Sequence, residues 1–158
     1  MIRTETLNRD HYQELYEVVL RNEPFAPQLL PTIGHFQAII GSIEGFVLRD
    51  GPTLIGAVTF TGLQPLIDVC LNIVIDEGCR KRWATKDVCR RAARFAFVDL
   101  ALPRMSSYGI KDVTPSAETC LVDYGFRVEG VKERGAWLPD GFHDLILYGL
   151  LKERCRWL

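Results

Sequence analysis

The 158-residue sequence has no long apolar run, and its amino terminus lacks the charged-then-apolar layout of a secretory signal. A membrane-spanning helix needs roughly 18 to 20 consecutive apolar residues, and no stretch approaches that length. Nothing in the first residues indicates export. We therefore expect a cytoplasmic protein that has no membrane partner.

Cysteine and histidine are too few and too scattered to predict a disulfide framework or a metal site. The five cysteines are odd in number and include no C-x-x-C pair. The three histidines, His11, His35 and His143, lie far apart in sequence, whereas zinc ligands usually come in closely spaced pairs. We expect reduced thiols in or near the core and no metal cofactor.

The composition is that of an ordinary globular protein, with 47% hydrophobic and 25% charged residues. A chain of this length usually forms one domain, so we expect residues 1–158 to form a single domain. The formal net charge of −1 argues against non-specific binding to nucleic acid, which usually requires a basic domain.

Hydrophobic periodicity and turn residues predict the element order β-α-α-β-β-β-α-β-α-β-β. The first helix is capped by Asn8, a proline-rich connection at 21–31 is predicted as a loop, and a second helix runs from Thr32 to Ile40. Strands follow at about 45–49, 53–62 and 66–75, then the basic helix, the strand "RMSSYGI", a helix that ends at Gly125 and two closing strands. The fold class is α+β, with a mixed, mostly antiparallel sheet of six to seven strands flanked by about four helices.

Positive charge is concentrated between residues 80 and 94, although the chain as a whole is slightly acidic. This segment contains a single acidic residue, Asp87, and seven basic residues: Arg80, Lys81, Arg82, Lys86, Arg90, Arg91 and Arg94. The segment follows a strand and opens a helix, whose first N–H groups have no partner within the helix. A ligand with several phosphates suits this layout, and a solvated basic helix face is the alternative.

The order of strand, basic loop and helix, followed by strand, helix and "YGFRVEG" (124–130), resembles the GNAT superfamily of acyl-CoA-dependent N-acetyltransferases. The resemblance covers nearly the whole chain, and the ending "FHDLILYGLLKER" is similar to the branch that acetylates ribosomal-protein N-termini. It implies direct transfer of an acetyl group from acetyl-CoA, as co-substrate, to a primary amine. The resemblance does not distinguish between a small-molecule amine and a protein or peptide amine as the acceptor. It is also compatible with a homodimer.

The resemblance also implies which residues contact acetyl-CoA. The phosphate loop would contribute Arg80, Lys81, Arg82, Trp83, Ala84 and Thr85, the preceding strand Asn72, Ile73 and Val74, and a later position Thr114. The family's loop usually reads Gln/Arg-x-x-Gly-x-Gly/Ala, and in Cys79–Ala84 only Ala84 matches it. Arg82 occupies a glycine position, where the backbone normally approaches the diphosphate without steric cost.

Three residues are candidates for proton transfer. Asp68 is the preferred base, because it lies on an otherwise apolar strand, and a structural hydrogen-bonding role is its alternative. His143 has a suitable ordinary pKa. Tyr124 carries a hydroxyl next to Gly125, although its position favours packing. Many family members have a tyrosine acid where this chain has Leu121, so Ser116, Thr119, Cys120 or water could substitute for it.

Two other functions stay open at this point. The departures in the loop and at Leu121 fit a non-catalytic protein that keeps the fold and binds CoA or another anion. The second open function is a nucleic-acid-modifying enzyme, in which the basic segment would bind the phosphates of the polymer. The nearly neutral net charge of the chain argues against it.

Overall fold

The computed structural model describes residues 1–113 and 121–158. The strands are β1 (Ile2–Thr6), β2 (Glu44–Asp50), β3 (Thr53–Gln64), β4 (Asp68–Ile75), β5 (Arg104–Ile110), β6 (Arg127–Leu138) and β7 (Gly141–Leu151). The α-helices are α1 (Tyr12–Asn22), α2 (Ala26–Leu29), α3 (Ile33–Ile40) and α4 (Lys86–Arg94), and residues 121–124 are also helical. Short 3₁₀ turns cover Arg9–His11, Glu77–Cys79 and Lys152–Arg154, and α4 continues into a π-helical turn at Phe95–Asp99.

The seven strands form one sheet in the order β1-β2-β3-β4-β5-β7-β6. The β1–β2, β2–β3, β5–β7 and β6–β7 pairs are antiparallel, and the β4–β5 pair is parallel. The predicted α+β class with a mixed, mostly antiparallel sheet is therefore confirmed.

Two predicted boundaries need correction. β3 continues to Gln64, and β4 begins at Asp68 instead of residue 66, because the chain turns at 65–67 with Leu66 at φ 67°. The proline-rich connection is not entirely a loop, since it contains the single-turn helix α2. Proline is tolerated in the first turn of a helix, where its missing N–H would have no partner.

By its backbone contacts the chain divides into two compact units. Unit 1 comprises Met1–Phe60 and Ile73–Trp83, and unit 2 comprises Thr61–Asn72 and Ala84–Leu158. The core of unit 1 is a cluster of buried side chains from α1, α2 and its C-cap, α3, β2 and β3: Leu15, Tyr16, Val18, Val19, Ala26, Leu30, Phe36, Ile40, Val47, Leu54 and Ala57. Unit 2 buries one side of α4 and β5, with Val88, Ala92, Phe97 and Met105 at most 2% exposed.

Within the described ranges, no helix combines the length and apolar character that crossing a membrane requires.

Candidate functional site

The parallel strands β4 and β5 of unit 2 share very little pairing. Over their described residues the register comprises a single pair, Cys70 with Ser106. The alternation of burial along β4 also stops, since Asn72, Ile73 and Val74 are all partly exposed. A regularly paired strand exposes alternate residues. Within unit 2 the described β4–β5 pairing therefore ends at Cys70, and we call the stretch of the two strands just beyond it, at Asn72, the opening.

A side chain of β5 hydrogen-bonds the backbone of β4 on the buried side of this opening. The hydroxyl of Ser107, which is 5% exposed, donates to the carbonyl oxygen of Leu71 at 2.9 Å. The buried Leu71 carbonyl thus accepts a hydrogen bond from a side chain of β5. Sequence patterning did not indicate this role for Ser107.

The other face of the opening is polar and partly exposed. Asn72 donates from Nδ2 to the Thr61 hydroxyl oxygen at 2.8 Å. Tyr108 of β5, the second residue after Ser106, is 50% exposed. Burial is the main cause that raises the pKa of both the Cys70 thiol and the Tyr108 hydroxyl, so both hold their protons at neutral pH.

Asp68 begins β4 in a cluster of three charged side chains. Its Oδ2 lies 3.3 Å from Nε of Arg104 on β5, and Nη2 of Arg104 donates to Glu129 on β6 at 2.6 Å. Strand β7 lies between β5 and β6, and Gly149 of β7 leaves room for the Glu129 carboxylate, which a Cβ there would meet. Among the described residues the Asp68 Oδ1 is buried without a hydrogen-bond partner.

These contacts bear on the two predicted roles of Asp68. The Arg104 guanidinium compensates its charge, as the structural alternative requires, whereas the unpartnered Oδ1 leaves a lone pair for a proton. The catalytic role of Asp68 therefore stays a prediction.

The basic loop follows β4 in unit 1 and is fixed to the end of α1. Asp76 accepts hydrogen bonds from Arg21 at 2.8 Å and Asn22 at 3.3 Å, and the Glu77 N–H donates to the Asn22 side chain at 3.0 Å. Burial works to raise the pKa of Asp76, but the hydrogen bonds from Arg21 and Asn22 lower it below its ordinary value. A charged aspartate thus holds the start of the loop.

Three backbone N–H groups of the loop already have partners inside it. The Arg80 N–H donates to the Glu77 carbonyl at 3.3 Å, and those of Arg82 and Trp83 donate to the Cys79 carbonyl at 3.1 and 3.2 Å. An anion at this loop would therefore meet side-chain cations in addition to any backbone groups. Lys81 is exposed, Arg80 is partly exposed, and Trp83 is buried at 5% exposure as a packing residue.

Arg82, at the position where the resembled family has glycine, is directed to another partner in unit 1. Its guanidinium forms a short ion pair with Asp50 and also contacts the Cys79 sulfur at 3.5 Å. The amino-terminal ammonium and Arg82, in that order, lower the pKa of Asp50. The predicted contact of Arg82 with the cofactor stays a prediction, and the contact that the structure contains is with Asp50.

Sequence reasoning missed Glu23, which directly follows α1. Burial raises the pKa of Glu23 to about 7, and the cation of Arg80 opposes that shift. A carboxyl that titrates near neutral pH beside a loop cation is typical of functional sites. The pattern "RNEPF" gives no sign that this acid is buried, so only the packing identifies it.

The basic face of α4 in unit 2 is as predicted from the helical spacing. Lys86, Arg90 and Arg94 are exposed, while Val88 and Ala92 are buried. Thr85 is the N-cap, and its Oγ1 accepts from the Val88 N–H at 3.4 Å. Ala84 is exposed immediately before it. These contacts give Thr85 a structural role, and cofactor contacts of Ala84 and Thr85 stay predictions.

The remaining predicted residues make contacts elsewhere in unit 2 or lie outside the residues that the structure describes. Tyr124 is 5% exposed and its ring packs 5.6 Å from that of Trp157, which favours the packing role. His143 lies on β7 with Nε2 2.7 Å from the Asp140 carboxylate. Leu121 is buried. Thr114, Ser116, Thr119 and Cys120 lie outside the described residues.

In the part of the chain that the structure describes, no group of three or more His, Cys, Asp or Glu side chains could hold a metal ion.

No protein-family model matches the chain, and no curated protein matches it. Solved structures do. A chimera of the spermidine N-acetyltransferase SpeG from Vibrio cholerae and hSSAT is 16% identical, covers 96% of each chain and has a TM-score of 0.82. The ribosomal-protein-S5-alanine acetyltransferase from Vibrio fischeri is 14% identical, with 98% of this chain and 95% of that chain covered and a TM-score of 0.77.

These likenesses show the fold: the chain has the GNAT fold over nearly its whole length. The resemblance drawn from "YGFRVEG" and the chain's ending is confirmed at that level.

Proposed function

We propose that the protein is an acetyl-CoA-dependent N-acetyltransferase that transfers an acetyl group to a primary amine by direct attack. The observation that carries this proposal is the opening between β4 and β5, where pairing is reduced to Cys70 and Ser106. Backbone N–H groups released from a ladder can bind an extended arm and stabilise an oxyanion. Asn72, Ile73 and Val74 are the residues we assign to that role.

The residues present also fit the phosphates of the co-substrate. In unit 1 Arg80 and Lys81 give the loop two cations, and in unit 2 α4 presents an exposed basic face of its own. The Arg82 side chain is bound to Asp50, so this large side chain does not fill the loop. Acetyl-CoA would supply the thioester, and the chain's residues would bind its phosphates and orient its acetyl group.

In the proposed reaction the amine nitrogen attacks the thioester carbonyl carbon and forms a tetrahedral intermediate. Asp68 is the proposed base for the amine proton, and a backbone N–H near Ile73 is the proposed donor to the oxyanion. Collapse of the intermediate breaks the carbon–sulfur bond and releases CoA. We place this activity in the cytoplasm, with no metal and no membrane partner.

The acceptor is proposed only as a primary amine. The names of the structural neighbours include a polyamine, spermidine, and an alanine of a ribosomal protein. These two classes of amine are therefore the first acceptors to test. Fold alone does not choose between them.

A non-catalytic protein that binds CoA or another anion is the second candidate. It is favoured by the buried Leu121, which stands where many family members have a tyrosine acid, and by the replacement of the loop glycine with Arg82.

Thiol release from acetyl-CoA tests the proposal, with spermidine, an alanine-initiated peptide and a lysine peptide as acceptors. The proposal expects amine-dependent release for at least one acceptor class. Calorimetric binding of acetyl-CoA without release for any amine would support the second candidate. Displacement of acetyl-CoA by single-stranded RNA at low salt would instead indicate a nucleic-acid ligand.

A further inference from the structure

The side-chain amide of Asn22, the last residue of α1, joins this helix to the basic loop within unit 1. Its Nδ2 donates to the Val18 carbonyl oxygen at 2.7 Å and to the Asp76 carboxylate at 3.3 Å. Its Oδ1 accepts from the Glu77 N–H at 3.0 Å. One amide therefore holds both the end of α1 and the start of the loop.

The neighbours of this amide determine which way it faces and which side chain can take its place. A backbone N–H can only donate and a backbone carbonyl oxygen can only accept, so Oδ1 must face Glu77 and Nδ2 must face Val18. An aspartate at position 22 would lose both donors and bring a second carboxylate to Asp76. An apolar side chain would lose all of these contacts. The link between α1 and the loop therefore depends on an amide at this position.

The hydrogen bonds continue from Asn22 to the first cation of the loop. The Glu77 carbonyl oxygen accepts from the Arg80 N–H at 3.3 Å, so two hydrogen bonds connect the Asn22 amide to the Arg80 backbone through Glu77. The Asp76 N–H is also held, because it donates to the Ile55 carbonyl oxygen on β3 at 2.7 Å. The start of the loop is thus bound to α1 and to β3 just before Arg80.

A neighbouring contact, the ion pair of Arg21 with Asp76, contributes less to this link. The Arg21 side chain is 53% exposed and that of Asp76 is 30% exposed. Exposed ion pairs contribute little to stability, because water and salt screen them. The hydrogen bonds of Asn22 to two backbone groups are not screened in this way. Asn22 is therefore the main connection between α1 and the loop.

We propose that Asn22 is a positioning residue for the phosphates of acetyl-CoA, because it holds the loop in the shape from which Arg80 and Lys81 bind them. This inference rests on the proposed function. Asn22 does not contact the phosphates in this account and acts through the two cations. A loop that is ordered before its ligand arrives loses less conformational freedom on binding, and such preorganisation raises affinity. Without Asn22, acetyl-CoA should bind less tightly although both cations are present.

A double-mutant cycle separates this positioning role from a structural one. Calorimetry measures the Kd of acetyl-CoA for wild type, for Asn22→Ala, for the variant with both Arg80→Ala and Lys81→Ala, and for the triple variant. Asn22→Ala should raise Kd by roughly 5- to 10-fold, the equivalent of one hydrogen bond. In the background without the two cations, the same substitution should change Kd by less than about 2-fold, because the groups through which it acts are gone.

Two further variants guard against a loss of folding. Asn22→Leu keeps the approximate size of the side chain and favours the helix, so the same cycle is run with it, and circular dichroism confirms that each variant is folded. Ser42→Ala is the matched control, because the Ser42 hydroxyl donates at 3.2 Å to the Ile39 carbonyl oxygen near the end of α3, as Asn22 does to Val18 at the end of α1. Ser42→Ala should leave Kd unchanged.

Two results would overturn the role of Asn22. One is an unchanged Kd in folded Asn22→Ala or Asn22→Leu. The other is an equal increase in Kd with and without the loop cations, which would show that Asn22 does not act through them. If wild type does not bind acetyl-CoA at all, the proposed donor is wrong and this inference falls with it, so the two failures are distinguishable.

Discussion

Arg82 donates through its guanidinium to the carboxylate of Asp50, which also lies 3.3 Å from the amino-terminal nitrogen. Arg82 occupies the position at which the GNAT superfamily usually has a glycine, so its side chain must point away from the loop backbone if a phosphate is to approach. Asp50, at the end of β2, provides that place within unit 1. The loop cations that stay available for phosphates are then Arg80 and Lys81.

Replacing Arg80 and Lys81 together with alanine should weaken acetyl-CoA binding more than Arg82→Ala does. Each charge-assisted phosphate contact contributes roughly 1.5 to 3 kcal/mol, so loss of two should cost at least about 10²-fold in Kd. Calorimetry at constant salt measures this, with Lys132→Ala on the exposed side of β6 as the control for removing a cation. Arg82→Ala matching the double variant would show that Arg82 leaves Asp50 to bind the phosphates.

Asp68→Asn keeps the shape of the side chain and removes its basicity. If Asp68 accepts the amine proton, kcat/KM at neutral pH should fall by roughly 10²- to 10⁴-fold while acetyl-CoA affinity is nearly unchanged. Glu129→Gln, which removes the charge that pairs with Arg104, is the control for disturbing the charged cluster. Similar losses of stability in both variants, with activity retained, would assign Asp68 to the structural role.

Gly149→Ala should displace the Glu129 carboxylate from Arg104, because the added Cβ would occupy its position. The expected cost is about 1 kcal/mol of unfolding free energy, since the ion pair is partly exposed. In Glu129→Ala the obstructing atoms are gone, so adding Gly149→Ala to it should cost much less. Chemical denaturation of the four proteins measures this coupling, and strictly additive losses would contradict the described contact.

Glu23 should make stability depend on pH between about 4.5 and 7. Its folded pKa of about 7 lies above the ordinary 4.5, so in this window the folded chain holds a proton that the unfolded chain has lost. The stabilising contribution is full below about 4.5, declines as pH rises and is absent above about 7. It amounts to roughly 1 to 3 kcal/mol for a partly buried group.

The measurement is the difference in unfolding free energy between wild type and Glu23→Gln, since titration of all other groups cancels. That difference should shift against wild type as pH rises through the window. Glu17→Gln, on the exposed side of α1, controls for removing one charge from the helix. A difference that does not vary with pH would contradict the burial of Glu23.

Local sequence signals were sufficient for most of the fold. Thr32 caps α3 as expected, and "RMSSYGI" is the strand Arg104–Ile110, because caps and alternating residues act over a few positions. The turn at Leu66 was missed, since a non-glycine residue with positive φ carries no strong sequence signal.

The site was predictable in its charge but not in its contacts. The density of cations from Arg80 onward identified the loop and α4, but the pairing of Arg82 with Asp50 joins residues far apart in sequence. The pairing of Cys70 with Ser106 likewise depends on strand register, and the elevated pKa of Glu23 depends on burial. Neither register nor burial at a loop can be read from residue types alone.

Acetyl transfer itself is tested most directly by mixing the protein with acetyl-CoA labelled in the acetyl group and an acceptor amine, then quantifying both products by mass spectrometry. We predict labelled N-acetylated amine and free CoA in equal amounts, at a rate that depends on protein and amine concentration. Release of CoA without labelled amine, or tight binding of acetyl-CoA with neither product, would contradict it.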